Sequence, residues 1–284
     1  MAQTVIKASG KLEEFDRNKL VNSLIRSGAT EDVALEIARN IETRITPSSH
    51  TRHIFKIAKK LLRQYSKVSD MRYSIKKAIY SLGPAGFQFE KYIAGILRAY
   101  GYVTEVGKII QGYCVSHEID VFAKKENYII IVECKYHSNP GNSTDVKTAL
   151  YVHSRFNDIK KGFESSPENH FTFQQGWLVT NTRCSVDALR YAECVGLKIV
   201  SWKYPEKESL EKIIETKKLY PVTILSSINK NALEMLFRND IVFAKDIANM
   251  DEETFSKKSG IDIHLAHLLK NEADALCFPN NKNQ

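Results

Sequence analysis

A stretch of 19 residues in the middle of the chain decides its fold: His117 to Lys135 reads HEIDVFAKKENYIIIVECK. Apolar and polar residues alternate at its start, four polar residues from Lys124 to Asn127 interrupt the pattern, and a continuous apolar run follows. This order predicts a β-hairpin with a four-residue turn, in which Ala123 pairs with Tyr128. The apolar run is typical of a strand buried on both faces.

Charged residues lie at the far end of this predicted hairpin. In the register just given, Asp120 lies opposite Ile131, and alternation along the strands puts Asp120, Glu133 and Lys135 on one face. Two carboxylates so placed can hold one divalent cation, Mg²⁺ or Mn²⁺, and an ammonium group can orient the attacking water or stabilise the developing charge. We interpret Asp120 and Glu133 as metal ligands and Lys135 as a catalytic residue for phosphodiester hydrolysis.

The sequence around the hairpin alternates between helical and strand patterns. A Ser-Leu-Gly-Pro-Ala-Gly run at 81–86 ends the helices of the first segment, and segments with helical spacing and with strand patterns alternate after it. This order of helices and strands predicts an α/β (α+β) fold with a mixed sheet flanked by helices. The elements are a helix at 87–100, strands at 104–110, 116–123 and 128–136, a helix at 145–163, a strand at 176–180, a helix at 186–195 and a strand at 197–202.

Small, mostly helical segments are predicted at both ends of the chain. Residues 3–82 begin with a strand pair around Ser9-Gly10, followed by helices capped by Asp16 and Thr30. After Pro221 four short amphipathic segments follow. The sequence therefore predicts three domains, at 1–82, 83–221 and 222–284.

The net charge of the 284-residue chain is concentrated in its first domain. The whole chain has 41 Lys and Arg against 33 Asp and Glu, a net charge of +8. Residues 1–82 carry 16 basic and 8 acidic side chains, the middle segment is near neutral at +2, and residues 222–284 carry −2. The excess therefore predicts a polyanionic partner, DNA or a nucleotide, for the N-terminal segment.

Composition excludes several classes of protein. Hydrophobic residues make up 43% and charged residues 26% of the chain, which is typical of a folded globular protein. The five cysteines are odd in number and never spaced as CxxC, which argues against a zinc ribbon or a disulfide scaffold. No signal peptide and no apolar run of 18 residues occurs, so we expect a cytoplasmic protein without a membrane span.

The hairpin and its surroundings resemble the PD-(D/E)xK nuclease superfamily, and within it the Mrr-like restriction endonucleases. Asp120 matches the aspartate of that motif and Glu133-Cys134-Lys135 matches the (D/E)xK, although Mrr relatives usually carry Gln where this chain has Glu133. The resemblance covers about residues 84–204. It implies a restriction-endonuclease-like fold, Mg²⁺-dependent cleavage of DNA in restriction or anti-phage defence, and a supporting catalytic carboxylate on the first helix, here Glu90.

The opening of the chain, VIKASGKLEEFDRNK at 5–19, resembles the ATP-cone domain, a regulatory nucleotide-binding module. The resemblance implies binding of ATP or dATP, although Ala8 and Ser9 replace the usual Arg and Asp of that family. A basic helical domain that touches the DNA backbone without a nucleotide is the alternative. The positions that match nucleotide-binding residues of the family are Val5, Lys7, Lys19 and Thr51.

The C-terminal segment resembles a helix-hairpin-helix module, in which backbone amides at a Gly hairpin hold a DNA phosphate. Gly260 matches one of the two usual hairpin glycines, and Lys257 and Lys258 precede it. The resemblance implies that these three residues bind DNA. A packing or protein-contact role is the alternative for this net-negative segment.

Together these patterns predict a metal-dependent DNA endonuclease regulated by a nucleotide. The rival hypothesis is a non-catalytic sensor of nucleic acid or nucleotide that uses a nuclease-like scaffold. A homodimer is expected because a double-strand cut needs two sites. His117 and His137 could assist at phosphate or metal, but histidines in such places more often lie outside the reacting centre.

Overall fold

A computed structural model describes residues 3–46, 49–83, 86–165 and 172–278, with the side chains of residues 172 and 174 left aside. Within those ranges, no helix combines the length and the apolar character that crossing a membrane requires.

The chain forms nine strands and thirteen α-helices over these ranges. The first part contains β1 (Thr4–Ile6), β2 (Leu12–Glu14), α1 (Arg17–Arg26), α2 (Glu31–Glu42), α3 (Thr51–Tyr65), α4 (Lys67–Tyr73) and α5 (Ile75–Tyr80). The middle part contains α6 (Phe87–Ala99), β3 (Val103–Gln111), β4 (Ser116–Lys125), β5 (Tyr128–Lys135), β6 (Ser143–Thr144), α7 (Val146–Glu164), β7 (Thr172–Thr180), β8 (Arg183–Cys184), α8 (Val186–Val195), β9 (Lys198–Val200) and α9 (Leu210–Lys217). The last part contains a 3₁₀ turn (Val222–Ile224), α10 (Lys230–Arg238), α11 (Ala244–Ala248), α12 (Glu252–Ser259) and α13 (Ile263–Cys277).

These elements form two units, of which unit 1 combines residues 1–79 with residues 220–284 and unit 2 spans residues 80–219. In unit 1, the caps predicted for α1 and α2 are confirmed, because the side chains of Asp16 and Thr30 accept bonds from the first turns. The two ends of the chain meet within this unit: Lys67 Nζ of α4 lies 3.0 Å from Glu272 Oε1 of α13. Both terminal segments therefore contribute to one packed unit.

Unit 2 is a five-stranded mixed sheet with the strand order β3-β4-β5-β7-β9. The β3, β4 and β5 strands are antiparallel, whereas β7 and β9 run parallel to β5. Helices α7 and α8 pack on one face against a cluster that includes Ile129, Ile131 and Leu178. Helix α6 covers β3, β4 and β5 with its own buried stripe. The predicted α/β class with a mixed sheet between helices is confirmed.

The β4–β5 hairpin differs from the predicted register by two residues. Lys125 pairs with Tyr128 and Ala123 pairs with Ile130, so the turn contains only two residues and not four. Glu126 takes the positive φ of 54° that such tight hairpin turns require. The sequence suggested a longer turn because it lacks the glycine that usually supplies this conformation. Since side chains alternate with period two, an error of two residues leaves every side chain on its predicted face.

A glycine lets the β7 strand pack closely against α7. A β-carbon added to Gly176 would overlap the ring of Phe156, which is buried on α7. Gly176 pairs with Ile131 of the central strand, so the close approach lies at the middle of the sheet. Glycine is therefore required here because there is no room for a side chain, and not because the backbone takes a positive φ.

We expect Gly176→Ala to destabilise the protein by roughly 1–3 kcal/mol, since overpacking a filled core displaces side chains and backbone. Thermal or urea unfolding measures the loss. In a Phe156→Leu background the smaller side chain makes room, so the same Gly176→Ala change should cost less. Equal costs in both backgrounds would contradict the close packing.

Candidate active site at the ends of β4 and β5

The two predicted metal ligands lie on neighbouring strands of the hairpin. The last pair of the observed ladder joins Val121 to Val132, and Asp120 and Glu133 follow one residue beyond it. Asp120 Oδ2 accepts a hydrogen bond from the backbone N–H of Cys134 at 2.6 Å. This bond fixes the Asp120 carboxylate against the strand that carries Glu133.

A third carboxylate comes from the first turn of α6. This helix begins after Gly86, whose φ of 73° lets the chain turn sharply into it. A β-carbon at Gly86 would lie 3.7 Å from Glu90 Oε1, so the glutamate side chain lies close along the start of its own helix. The structure therefore brings Glu90 close enough to Asp120 and Glu133 for the three charges to repel one another.

Arg155 contacts these acids, and the sequence pattern did not predict this contact. Its Nη1 donates to Glu133 Oε2 at 2.6 Å, and its Nη2 donates to the backbone carbonyl of Glu118. Only 13% of the Arg155 side chain and 19% of the Glu133 side chain are exposed. A signal was present in the sequence: Arg155 lies between Val152 and Ile159 on the apolar stripe of α7, and a charge on such a stripe needs a buried partner.

Burial and mutual repulsion keep these carboxyl groups from ionising easily. Burial, then repulsion from Asp120, raises the pKa of Glu133 to about 7 in spite of the opposing charge of Arg155. Burial also raises the pKa of Glu90 to about 7, with repulsion from Asp120, Glu118 and Glu133 added to it. Burial likewise raises the pKa of Asp120. A site that gathers acids at this cost is electrostatically suited to a bound cation.

Lys135 ends β5 and is exposed to solvent, in register with Thr180 of β7. Its positive charge lowers the pKa of both Asp120 and Glu133, so its ammonium group lies within electrostatic reach of the two acids. The chain just beyond is held by Asn181, whose Oδ1 accepts from the His137 N–H and whose Nδ2 donates to the His137 carbonyl. Lys135 therefore extends from a strand end that is fixed on both sides.

The donor set suits a hard divalent cation that keeps part of its water shell. Across the part of the chain that the structure describes, no group of three or more His, Cys, Asp or Glu side chains is arranged to hold a metal by itself. Mg²⁺ usually takes one or two carboxylates together with water and substrate phosphate, and the oxygen atoms of Asp120 and Glu133 fit that requirement.

The two histidines near the hairpin have other partners. His117 Nε2 lies 2.8 Å from Asp158 Oδ2, which also accepts from the Val115 N–H, while Oδ1 of the same carboxylate accepts from the Cys114 N–H. His117 therefore helps to join the β3–β4 turn to α7. His137 Nε2 lies 3.1 Å from Thr144 Oγ1, and burial together with the charge of Lys135 lowers the pKa of His137. A part for either histidine at phosphate or metal therefore stays a prediction.

The residues predicted to bind a nucleotide lie in unit 1. Lys7 forms a close ion pair with Glu13, and Lys19 Nζ lies 3.5 Å from the other oxygen of the same carboxylate. Val5 is buried in the core, and Thr51 is the first residue of α3. A phosphate would therefore compete with Glu13 for both lysines, and regulation by ATP or dATP stays a prediction from the sequence.

The residues predicted to bind DNA through the C-terminal segment lie around the end of α12. Gly260 ends this helix in the left-handed conformation, as a hairpin glycine should, with a φ of 75°. Asp262 caps the N-terminus of α13 with its own carboxylate. Lys257 Nζ lies 3.7 Å from Glu253 Oε2, and Lys258 is exposed. Because Asp262 occupies the helix end where a phosphate would bind, DNA contact here also stays a prediction.

Two family models match this chain. A restriction endonuclease model, the Mrr catalytic domain, matches residues 84–206, which include the carboxylate cluster. A model described as AF1548-like, C-terminal, matches residues 220–277.

The chain is similar to a protein sequence of Archaeoglobus fulgidus and to two solved structures. An uncharacterized protein of Archaeoglobus fulgidus is 41% identical over 161 residues, which cover 57% of this chain and 86% of the relative. The crystal structure of AF1548, a protein of unknown function, matches with a TM-score of 0.57 and 36% identity over 71% of this chain and all of that one. The MspJI restriction endonuclease bound to a 27-mer oligonucleotide covers 61% of this chain and 36% of its own at 13% identity, and its TM-score of 0.36 is too low to establish a shared fold. The chain therefore belongs to the AF1548-like family.

Proposed function

We propose that the protein is a metal-dependent DNA endonuclease of the Mrr type, used in restriction or defence. The observation that carries this proposal is the cluster of Glu90, Asp120 and Glu133, three acids with raised pKa values, of which two lie at the end of the β4–β5 hairpin and one on α6. The cluster lies within the part of the chain that the restriction endonuclease model matches. Half-buried acids that repel one another cost stability, and a metal-binding role explains why they are gathered.

Each residue of the cluster has a distinct part in the proposed reaction. Asp120 and Glu133 would hold Mg²⁺ or Mn²⁺, with Glu90 supporting them; the ion would supply a positive charge that polarises the phosphodiester and favours deprotonation of water. Lys135 orients the attacking water or stabilises the negative charge that develops on the phosphate. Arg155 is a positioning residue, because its hydrogen bonds to Glu133 and to the Glu118 carbonyl fix the direction of the Glu133 carboxylate.

Cleavage of DNA tests the assigned site directly. We expect the wild-type protein to cut duplex DNA with Mg²⁺, and Glu133→Gln and Lys135→Ala to lower the rate roughly 100-fold or more, as loss of an acid–base or metal-supporting group does. Gel assays on supercoiled plasmid, modified and unmodified, measure the rate. Glu126→Gln is the matched control, since it makes the same chemical change in the turn of the same hairpin. Full activity in either site variant contradicts the assignment, and DNA binding without cleavage by the wild type favours the sensor hypothesis.

The raised pKa values predict a pH dependence of metal binding. In the folded protein Glu90 and Glu133 hold protons up to about pH 7, whereas their ordinary value is 4.5. Folding stability contributed by these groups is therefore full at low pH and is lost as the pH rises through about 7. Mg²⁺ binds the ionised form, so the increase in melting temperature caused by Mg²⁺ should be larger at about pH 8 than at about pH 6. Differential scanning fluorimetry measures the increase at each pH. In Glu133→Gln the increase should be nearly the same at the two pH values. An increase independent of pH would argue against these carboxylates as ligands.

Removal of the Arg155 side chain tests its positioning role. We expect Arg155→Ala to reduce activity or Mg²⁺ affinity about 10–100-fold, which is the usual cost of losing a partner that orients a metal ligand. Arg155→Lys, which keeps the charge but not the forked pair of donors, should restore only part of the loss. Initial rates measured against Mg²⁺ concentration separate affinity from turnover. Wild-type activity in Arg155→Lys would show that a positive charge alone is needed at this position and would contradict the positioning role.

A further inference from the structure

Unit 2 contains a cavity of about 320 Å³ that the proposed reaction does not use. It lies between α6, α9 and the strands β5, β7 and β9. Its size falls at the lower end of the roughly 300–1,000 Å³ found for small-ligand pockets. We call it the aromatic pocket; its lining includes Tyr100, Tyr102, Gln175, Trp177, Lys198 and Glu208.

The pocket is separated from the carboxylate cluster along the central strand. Ile130 lines the pocket, and Lys135 ends the same strand five residues later. At roughly 3.3 Å per residue this separation is about 16 Å. A ligand in the aromatic pocket is therefore distinct from a phosphodiester held at the cluster.

Aromatic rings and apolar side chains give the pocket a surface suited to a flat ring. Tyr100, Tyr102 and Trp177 are all partly exposed, so their rings are available for contact. Ile96 and Ile130 also line the pocket and are buried. Planar heteroaromatic groups stack favourably on such rings.

Each of these three rings also has a lysine ammonium nearby. Lys198 Nζ lies 4.3 Å from the centre of the Trp177 ring. The other two pairs are Lys217 with Tyr100 at 5.0 Å and Lys125 with Tyr102 at 5.6 Å. Glu208, the acid in the lining, already pairs with Lys198 at 3.2 Å. The excess of positive charge favours a ligand that combines its flat ring with an anionic group.

One polar group in the lining is ready to bond to a heterocycle. Gln175 donates its amide N–H to the Gly196 carbonyl at 3.0 Å, which orients its side chain and leaves the amide oxygen as an acceptor.

We propose that the aromatic pocket binds a nucleobase together with its phosphate. A heterocyclic base supplies the flat ring and the acceptors, and the phosphate supplies the charge for the lysines. An apolar ligand would use neither the lysines nor the amide oxygen of Gln175. The base could belong to a free nucleotide or to an unpaired residue of DNA, and the two sources are distinguished by the probes below. The proposal does not depend on nuclease activity.

Calorimetry with two kinds of probe tests this proposal on the full chain. The first set is AMP, dCMP, dGMP and TMP; the second is a short duplex with one bulged base, compared with the fully paired duplex. We expect a mononucleotide to bind, or the bulged duplex to bind more tightly than the paired one. Binding should also shift the indole N–H signal of Trp177 in a ¹H–¹⁵N spectrum, assigned by its loss in Trp177→Phe.

Variants of the lining decide whether the bound probe lies in the aromatic pocket. Trp177→Leu and Lys198→Gln should each weaken binding about tenfold, in line with the loss of one stacking or charge contact. Lys160→Gln is the matched control, since Lys160 also pairs with a glutamate, Glu164, but lies on α7 outside the pocket. If Trp177→Leu does not fold, Lys198→Gln and Tyr102→Leu give the same test. Absence of binding by every probe, or binding unchanged in the lining variants, overturns the proposal.

Discussion

Repulsion between half-buried acids is the constraint on which the site depends. Glu90, Asp120 and Glu133 come from α6, β4 and β5, and only the packing of this helix on this hairpin brings them together. The central strand is covered on both faces, so water screens their charges poorly. Arg155 and the Cys134 N–H offset part of the cost, and the raised pKa values show that part remains. Packing therefore holds together groups that would otherwise separate.

Much of this arrangement could be predicted from the sequence because local rules determine it. The alternation before Ala123 and the apolar run after Tyr128 identify the hairpin, and the capping residues Asp16 and Thr30 identify two helix starts. The turn length could not be predicted, because Glu126 takes a left-handed conformation that its residue type does not signal. The face of each charged side chain could be predicted regardless, since it depends only on the parity of the register.

Features that depend on contacts between residues far apart in the chain could not be predicted from the sequence. The pairing of Arg155 with Glu133 joins residues 22 positions apart on a helix and a strand. The Lys67–Glu272 ion pair joins the two ends of the chain, which read as unrelated segments. The same holds for the aromatic pocket, whose rings come from the loop after α6 and from β7. In each case the local pattern gives the residue but not its partner.

The composition of unit 1 from both ends of the chain has a consequence for synthesis. Unit 2 is a continuous stretch, so all of its residues have been made once residue 219 has been added. Unit 1 needs α13, which follows all of unit 2 in the chain, before the contact of α13 with α4 can form. Domains fold as they leave the ribosome from the N-terminal side. The order of completion is therefore the reverse of the order in which the two units begin: unit 2, with the carboxylates, can finish folding while unit 1, which begins before it, still waits for α13.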